Sequence, residues 1–352
     1  MNLRIKKLIT KLQEKKLDGL ILNSNPNISY LTGFLSDASY LLVSKRENIY
    51  FTDFRYYQAV KQNLSGFLIK KINGSVFNLI AQACLELKVK NLAFEKNHLT
   101  FIEYKQLKEK LSPHINLIPI SSPVEELRTI KTEDELKKIK KATEIAVSAL
   151  EFIQPIIQEG KKEIEIAAEL ERFIRYKGGC SSSFEIIVAS GPNSSFPHHR
   201  TSQRKIRNNE LVLIDLGVDY FGYKSDLTRV FFLGKIKRLE RKIYAIVRQA
   251  QARAIKKIKP GVKISKVDMA ARQYIKDKGY GGLFGHSLGH GIGLEVHEAP
   301  RISSKNPEKL KTGMVFTVEP AIYLPNKFGI RLEDMVLVTK KGVDLISGTL
   351  HK

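Results

Sequence analysis

The chain has 352 residues, 43% of them hydrophobic and 27% charged, a globular composition with apolar material for a sizeable core and, at this length, for two domains. No apolar run approaches the roughly 20 residues of a membrane span, and the opening MNLRIKKLITKLQEKKLDG alternates charge with Leu and Ile, so neither secretion nor membrane insertion is expected. A formal charge of +23 raises nucleic acid as a partner, but the lysines come as doublets spread along helical segments, such as Lys6 and Lys7 or Lys256 and Lys257, and read as solvated helix faces instead.

From Leu3 to about Pro119, amphipathic stretches alternate with the apolar runs GLILN (19–23), FLIKKI (67–72), NLAFE (91–95) and INLIPI (115–120), the rhythm of an α/β layer domain. The polar segment SSPVEELRTIKTEDE has no helix or strand period and marks a boundary, so the expected domains are 1–125 and 132–352. Thr132 and Glu135 have the spacing of a capping box, in which each side chain bonds the other's backbone N–H. Leu136, Ile139, Ala142, Ala146, Ala149 and Ile153 then recur as one buried stripe, and Pro155 should end that helix. A second helix is expected over 164–176, strands over 184–189, 211–216 and 223–233, and helices over 238–258 and 264–278. GYGGLFGHSLGHGIG (279–293) holds seven glycines in fifteen residues, which suits close backbone approach. Strands return at 314–318 and 330–339, so the second domain reads as α+β with largely antiparallel strands. Cys84 and Cys180 are too few for a disulfide framework; they are expected as buried thiols in a reducing cytoplasm.

The chemistry concentrates in two hairpins. In LVLIDLGVDYFGYKSDLTRVFF, a turn over Asp219 to Gly222 makes partner numbers sum to 441 and sets Asp215 opposite Asp226. Opposed residues on an antiparallel pair have Cβ atoms about 4.5–5.5 Å apart, so two carboxylates there repel unless a cation lies between them. In VEPAIYLPNKFGIRLEDMVLV, a turn centred on Asn326 makes the sum 652 and sets Glu319 against Glu333. Two such hairpins suggest an internally duplicated sheet whose halves wall one site. Between them, HSLGHGIGLEVHE places His286, His290 and His297 among glycines. Four carboxylates with one neutral imidazole balance two divalent cations, and an oxygen-rich set without thiolates favours manganese, cobalt or zinc in an open site. Two ions about 3.5–4 Å apart activate water and polarise a carbonyl, so hydrolysis is the implied reaction.

FEIIVASGPNSSFPHHR, IDLGVDYFGYKSDLTR, HSLGHGIGLEVHE, GMVFTVEPAIY and GIRLEDMVLVT have the order and spacing of the pita-bread metallopeptidases. Within that family the chain resembles the Xaa-Pro peptidases, aminopeptidase P and prolidase. LDGLILNSNPNISYLTGF and YFTDFRYYQA are similar to the creatinase/prolidase N-terminal domain. The resemblance implies an α+β pita-bread catalytic domain with a pseudo-twofold antiparallel sheet, preceded by a smaller α/β domain. It implies that Asp215 binds one ion, that Asp226 and Glu333 bridge two, and that His290 and Glu319 bind the other. Glu319 would also take a proton from the water bridging the ions, leaving the nucleophilic hydroxide, and pass it to the departing nitrogen. His198 and His297 become the histidines that contact substrate and steady the tetrahedral intermediate. His286 lines the proline-side pocket and Arg331 organises the surroundings of the metals. A one-residue slip would exchange His198 for His199, but the preceding proline favours His198. Phe196 and Leu288 depart from the family's pattern and bear on pocket shape.

The implied activity is removal of an N-terminal residue from peptides with proline second, by a cytoplasmic homodimer holding two divalent ions per chain, manganese first. The alternative is a prolidase acting on Xaa-Pro dipeptides; a more distant one is a non-catalytic pita-bread protein that binds nucleic acid or a protein partner. All five ligand positions are filled, which separates the chain from creatinase, and its first domain separates it from methionine aminopeptidase.

Overall fold

The amphipathic opening segment folds as α1 (Leu3–Glu14), with Ile5, Leu8, Ile9 and Leu12 buried on one stripe. In the computed structural model, which describes residues 3–35 and 37–348, it begins the first of two units, Met1–Arg128. There follow β1 (Gly19–Leu22), α2 (Asn25–Thr32), β2 (Ser39–Ser44), β3 (Ile49–Thr52), α3 (Phe54–Asn63), β4 (Leu68–Lys71), α4 (Val76–Glu86), β5 (Asn91–Glu95), α5 (Phe101–Lys110), β6 (Asn116–Ile120) and α6 (Pro123–Arg128). The strands form one sheet in the order β4-β3-β2-β1-β5-β6, antiparallel only where β2 meets β1 and β3. Three elements differ from the sequence expectation. β2 and β3 are buried almost throughout, so they show no period-two alternation to read. α6 forms in the segment expected to be irregular, where Pro123 pre-sets the first helical φ and Glu125 and Glu126 occupy the first turn.

The second unit, Thr129–Lys352, opens with α7 (Glu133–Ile153), capped by the reciprocal bonds of Thr132 and Glu135 and ended by a 3-10 turn that contains Pro155. It continues with α8 (Glu163–Tyr176), β7 (Ser181–Ser182), β8 (Ile187–Ser190), β9 (Glu210–Leu216), β10 (Val218–Tyr220), β11 (Tyr223–Lys224), β12 (Leu227–Leu233), α9 (Arg238–Lys257) and α10 (Ile264–Asp277). The last strands are β13 (Gly289–Gly291), β14 (Glu298–Ile302), β15 (Val315–Val318), β16 (Ala321–Leu324), β17 (Phe328–Arg331), β18 (Asp334–Thr339) and β19 (Gly342–Leu345). The pairings among these strands are antiparallel.

Two apolar cores sandwich the central strands. Val212, Ile214 and Leu216 of β9, with Met335 and Leu337 of β18, pack against α7 and α8. Leu211 and Leu213 of β9, with Val336 and Val338 of β18, pack against α9 and α10. Alternate residues of both strands thus face opposite helix pairs, as a strand period of two requires. These strands belong to two sheets, β12-β9-β8 and β14-β13-β15-β18-β19, each covered by both helix pairs, in keeping with the duplication that the two hairpins imply.

Candidate metal centre

The two hairpins deliver their acids where the strand ladders open. Asp215 lies near the end of β9, Asp226 between β11 and β12, Glu319 between β15 and β16, and Glu333 between β17 and β18. The second hairpin has the expected register: Ala321 pairs with Arg331 and Val318 with Asp334, both sums being 652. The first does not. Tyr220 pairs with Tyr223 and Asp215 with Thr228, a sum of 443 instead of 441. The turn is the two residues Phe221 and Gly222, both at positive φ (49° and 84°), a tight hairpin whose twist suits its strands. A slip of two preserves side-chain parity, so the register leaves Asp215 and Asp226 on one side of the sheet without opposing them directly.

Ligand atoms of Asp226, His290 and Glu333 all lie within 4.8 Å of one another. His290 Nε2 is 3.5 Å from Asp226 Oδ2 and 3.6 Å from Glu319 Oε1. Glycine places this histidine: a Cβ on Gly289 would overlap the Thr317 carbonyl, and one on Gly291 the Ala299 carbonyl, so β13 reaches its depth between β14 and β15 only without side chains. His290 Nδ1 lies 3.2 Å from the Gly291 carbonyl oxygen, which assigns the proton to Nδ1 and turns the Nε2 lone pair toward the carboxylates. A lone pair and converging carboxylates repel one another unless a cation sits among them. Asp215 Oδ1 and Asp226 Oδ1 are also buried without a hydrogen-bond partner, a condition that costs free energy in the absence of a cation. Both observations fit a divalent ion held by oxygen and one imidazole.

Asp215 and Glu319 stand just outside this triad, and Arg331 explains the position of the first. Its Nη2 donates to Asp215 Oδ2 at 2.5 Å, its Nε to Thr228 Oγ1 at 3.1 Å and its Nη1 to Tyr323 Oη at 2.7 Å. Thr228 Oγ1 in turn donates to Glu333 Oε2 at 2.7 Å. Tyr323 Oη lies 3.3 Å from His286 Nε2, and His286 Nδ1 lies 2.8 Å from the Ser287 carbonyl. His286 therefore carries its proton on Nδ1 and accepts from Tyr323. Its Nδ1 is also 3.8 Å from Glu319 Oε2.

The electrostatics follow from burial and crowding. Burial first, then Glu333 and Asp215, push Asp226 well above the usual carboxylate range. Burial and then Glu333 do the same to Glu319, and burial and then Asp215 push Glu333 up to about 8. Burial pushes His290 and His286 down to about 4, so both are neutral at neutral pH, the form in which imidazole binds a metal. Burial opposes the charge of Arg331, but Tyr323, Asp215 and Glu333 around it hold it protonated.

The outer histidines separate by environment. His297 lies beside His290, with ring centroids 4.2 Å apart and planes tilted by 54°, and its pKa is lowered by burial and then by His198. His198 is exposed and bears electrostatically on both His286 and His297, whereas His199 is bonded to Glu163 at 2.9 Å. Phe196 is 59% exposed, while Leu288 is fully buried. Thr228 and Tyr323 escaped the sequence reading. Tyr323 was legible from parity, two pairs along from Glu319, but Thr228 required the correct register. Cys84 is buried, and burial pushes its thiol up to about 12; Cys180, expected to be buried, is exposed, because it sits in a loop after α8 and not in an element's apolar stripe.

Residues 137–340 match metallopeptidase family M24, and residues 4–130 match the creatinase/prolidase N-terminal domain. The chain is 36% identical to a Xaa-Pro dipeptidase of Pyrococcus horikoshii, over 99% of this chain and 98% of that protein. It is similar to the structure of a Xaa-Pro dipeptidase from Bacillus anthracis, with a TM-score of 0.95, 40% identity and coverage of 99% and 98%. An X-Pro aminopeptidase from Thermotoga maritima gives a TM-score of 0.89 at 35% identity, with coverage of 98% and 97%. With its carboxylates, histidine and duplicated sheet in these places, the chain belongs to metallopeptidase family M24, as a pita-bread enzyme with a creatinase/prolidase-type N-terminal domain.

Proposed function

We propose that this metallopeptidase cleaves Xaa-Pro bonds, acting first as a prolidase on Xaa-Pro dipeptides. This reverses the order expected from the sequence, in which aminopeptidase P stood first. The relatives named dipeptidases support the reversal, and the aminopeptidase relative keeps the longer-peptide reading second. The observation that carries the reading is the convergence of Asp226, Glu333 and the His290 lone pair in one buried cluster.

Asp215, Asp226, His290, Glu319 and Glu333 would hold two divalent ions, manganese first, with cobalt or zinc as alternatives. When bound, such ions supply Lewis acidity toward the scissile carbonyl and bring the pKa of water toward neutrality. The remaining work falls to the chain. Glu319 would take a proton from the attacking water on its carboxylate and deliver it to the proline nitrogen, which leaves as a secondary amine. His198 and His297 donate hydrogen bonds to the carbonyl oxygen as it gains charge. Arg331 fixes Asp215 and, through Tyr323, the tautomer of His286. His286 meets the buried Phe284 edge-on at 5.1 Å, which braces the imidazole that would face the pyrrolidine ring in the proline-side pocket. Proline needs such a pocket because its tertiary amide has no N–H to grip.

The two free thiols support a cytoplasmic location, and family resemblance supports a homodimer. Among the described residues, no helix is long and apolar enough to cross a membrane. The test strips the protein of metal, restores manganese, cobalt or zinc, and offers Xaa-Pro and Xaa-Pro-Yaa. Cleavage of the dipeptide alone is the expected result. Release of Xaa from the tripeptide would move the enzyme to aminopeptidase P, and no cleavage with any metal would overturn the reading.

A further inference from the structure

The loop that joins β8 to β9 carries His198, and a single carboxylate remote from the metal ligands gathers that loop. Glu163, the first residue of α8, is fully buried. Its Oε1 accepts from the Ser190 N–H and Oγ, both at 2.7 Å, and from Asn193 Nδ2 at 2.9 Å. Its Oε2 accepts from Ser202 Oγ at 2.6 Å, the Ser202 N–H at 3.2 Å and His199 Nε2 at 2.9 Å. The last residue of β8 and three residues of the first two-thirds of the loop therefore converge on two oxygens. A buried carboxylate is tolerated only when donors compensate its lost hydration, and here the loop supplies nearly all of them.

The far side of the loop is fixed to β17: the Gly329 N–H donates to Ser194 Oγ at 2.9 Å, and Arg331 Nη1 to the Pro197 carbonyl at 3.2 Å. Between these anchors the His199 N–H donates to the Phe196 carbonyl at 3.2 Å, closing a turn with Pro197 and His198 at its tip, both exposed. Proline at the second turn position pre-sets the backbone. Holding the His199 ring inward thus sets where the neighbouring His198 projects.

We propose that Glu163 is a positioning residue for the peptidase reaction, acting through His199 and the Ser190–Ser202 loop to place the His198 imidazole. The proposal rests on the reading of His198 as a substrate contact in an Xaa-Pro peptidase.

The test is a double-mutant cycle on the manganese-loaded enzyme with a cleaved Xaa-Pro substrate. Glu163→Gln and His199→Gln are each made alone and combined with His198→Ala. Both should lower kcat/KM about tenfold when His198 is present, and change it by less than about twofold when His198 is already Ala. Manganese affinity should be unaltered in every variant. An equal loss in both backgrounds, or a loss of manganese, would assign Glu163 to the fold alone and overturn the proposal. So would a His198→Ala enzyme as active as the wild type. If Glu163→Gln does not fold, His199→Gln carries the cycle, since it leaves the bonds to Ser190, Asn193 and Ser202. A wild-type protein that cleaves no Xaa-Pro substrate overturns the peptidase reading and this proposal with it, a result distinct from an active enzyme indifferent to Glu163.

Discussion

His290 and His198 are both proposed for the same site, and their surroundings differ. His290 has Nδ1 tied to a carbonyl and Nε2 facing anions, while His198 is exposed at a turn tip. Replacing His290 or Glu319 with Ala should abolish hydrolysis and manganese binding while the far-UV circular dichroism stays native; near-normal turnover would sink the ligand assignment. Replacing His198 or His297 with Ala should lower turnover with metal still bound, and metal loss in either would erase the division between ligands and substrate contacts. Glu163 adds a pH effect. Burial alone would raise its pKa, but bonds from Ser202, Ser190 and His199 outweigh burial and hold it below the ordinary 4.5. A depressed carboxyl contributes stability that is complete above the unfolded pKa and is lost as pH falls through the folded one. The Tm difference between wild type and Glu163→Gln should therefore be level near neutral pH and shrink below 4.5. A gap that does not change in acid would contradict the hydrogen-bond account.

Single elements show why some features were readable and others were not. The box of Thr132 and Glu135 is a local exchange of two bonds, so spacing alone announced it. The apolar stripe of α7 was equally plain, because a helix that covers one face of a sheet must bury one side. Strands β2 and β3 hide in the middle of a sheet, and the register of the first hairpin turned on a one-residue shift of the centre of its turn. Strand β13 is the sharpest case: glycine-richness suggested close approach, but only the packed sheet shows that Gly291 meets the Ala299 carbonyl. Gly291→Ala should cost about 1–3 kcal/mol through overpacking, seen as a lower urea midpoint, and should weaken manganese binding by displacing His290. An unchanged midpoint would mean that the strand can retreat without cost. Gln251 of α9 joins the same elements from behind, donating to the carbonyls of Val318 and Leu332 at 2.9 and 3.0 Å, the residues just before Glu319 and Glu333.

At the scale of the whole chain, the positive charge is less evenly spread than its lysine doublets suggest. Residues 235–278, which span α9 and α10, hold fifteen Lys and Arg against three Asp and Glu, whereas residues 133–176 of the equivalent pair α7 and α8 hold eight against ten. Glu240 and Asp268 are moreover buried, so the outer face of one helix pair is almost wholly cationic. Like charges on one surface repel, and salt screens them over a Debye length of about 10 Å at 0.1 M. Raising the salt should raise Tm, and Lys256→Glu with Lys257→Glu should reduce that gain; a Tm that falls with salt would show that attractive pairs dominate instead.

What the sequence determined by itself was whatever depends on neighbours along the chain: the capping box, the helical stripe of α7 and the shared side of each acid pair. Parity survives a register error of two, which is why Asp215 and Asp226 were found on one side from an incorrect sum. The rest was decided by contacts between segments far apart in the chain. Arg331 reaches Asp215 across 116 positions, Thr228 reaches Glu333 across 105, and Glu163 reaches Ser202 across 39. Such contacts leave no periodic trace, because a hydrogen bond between distant segments constrains two residues and not a pattern. Only the packed strands, with helices on both faces, set which buried oxygens lack a partner.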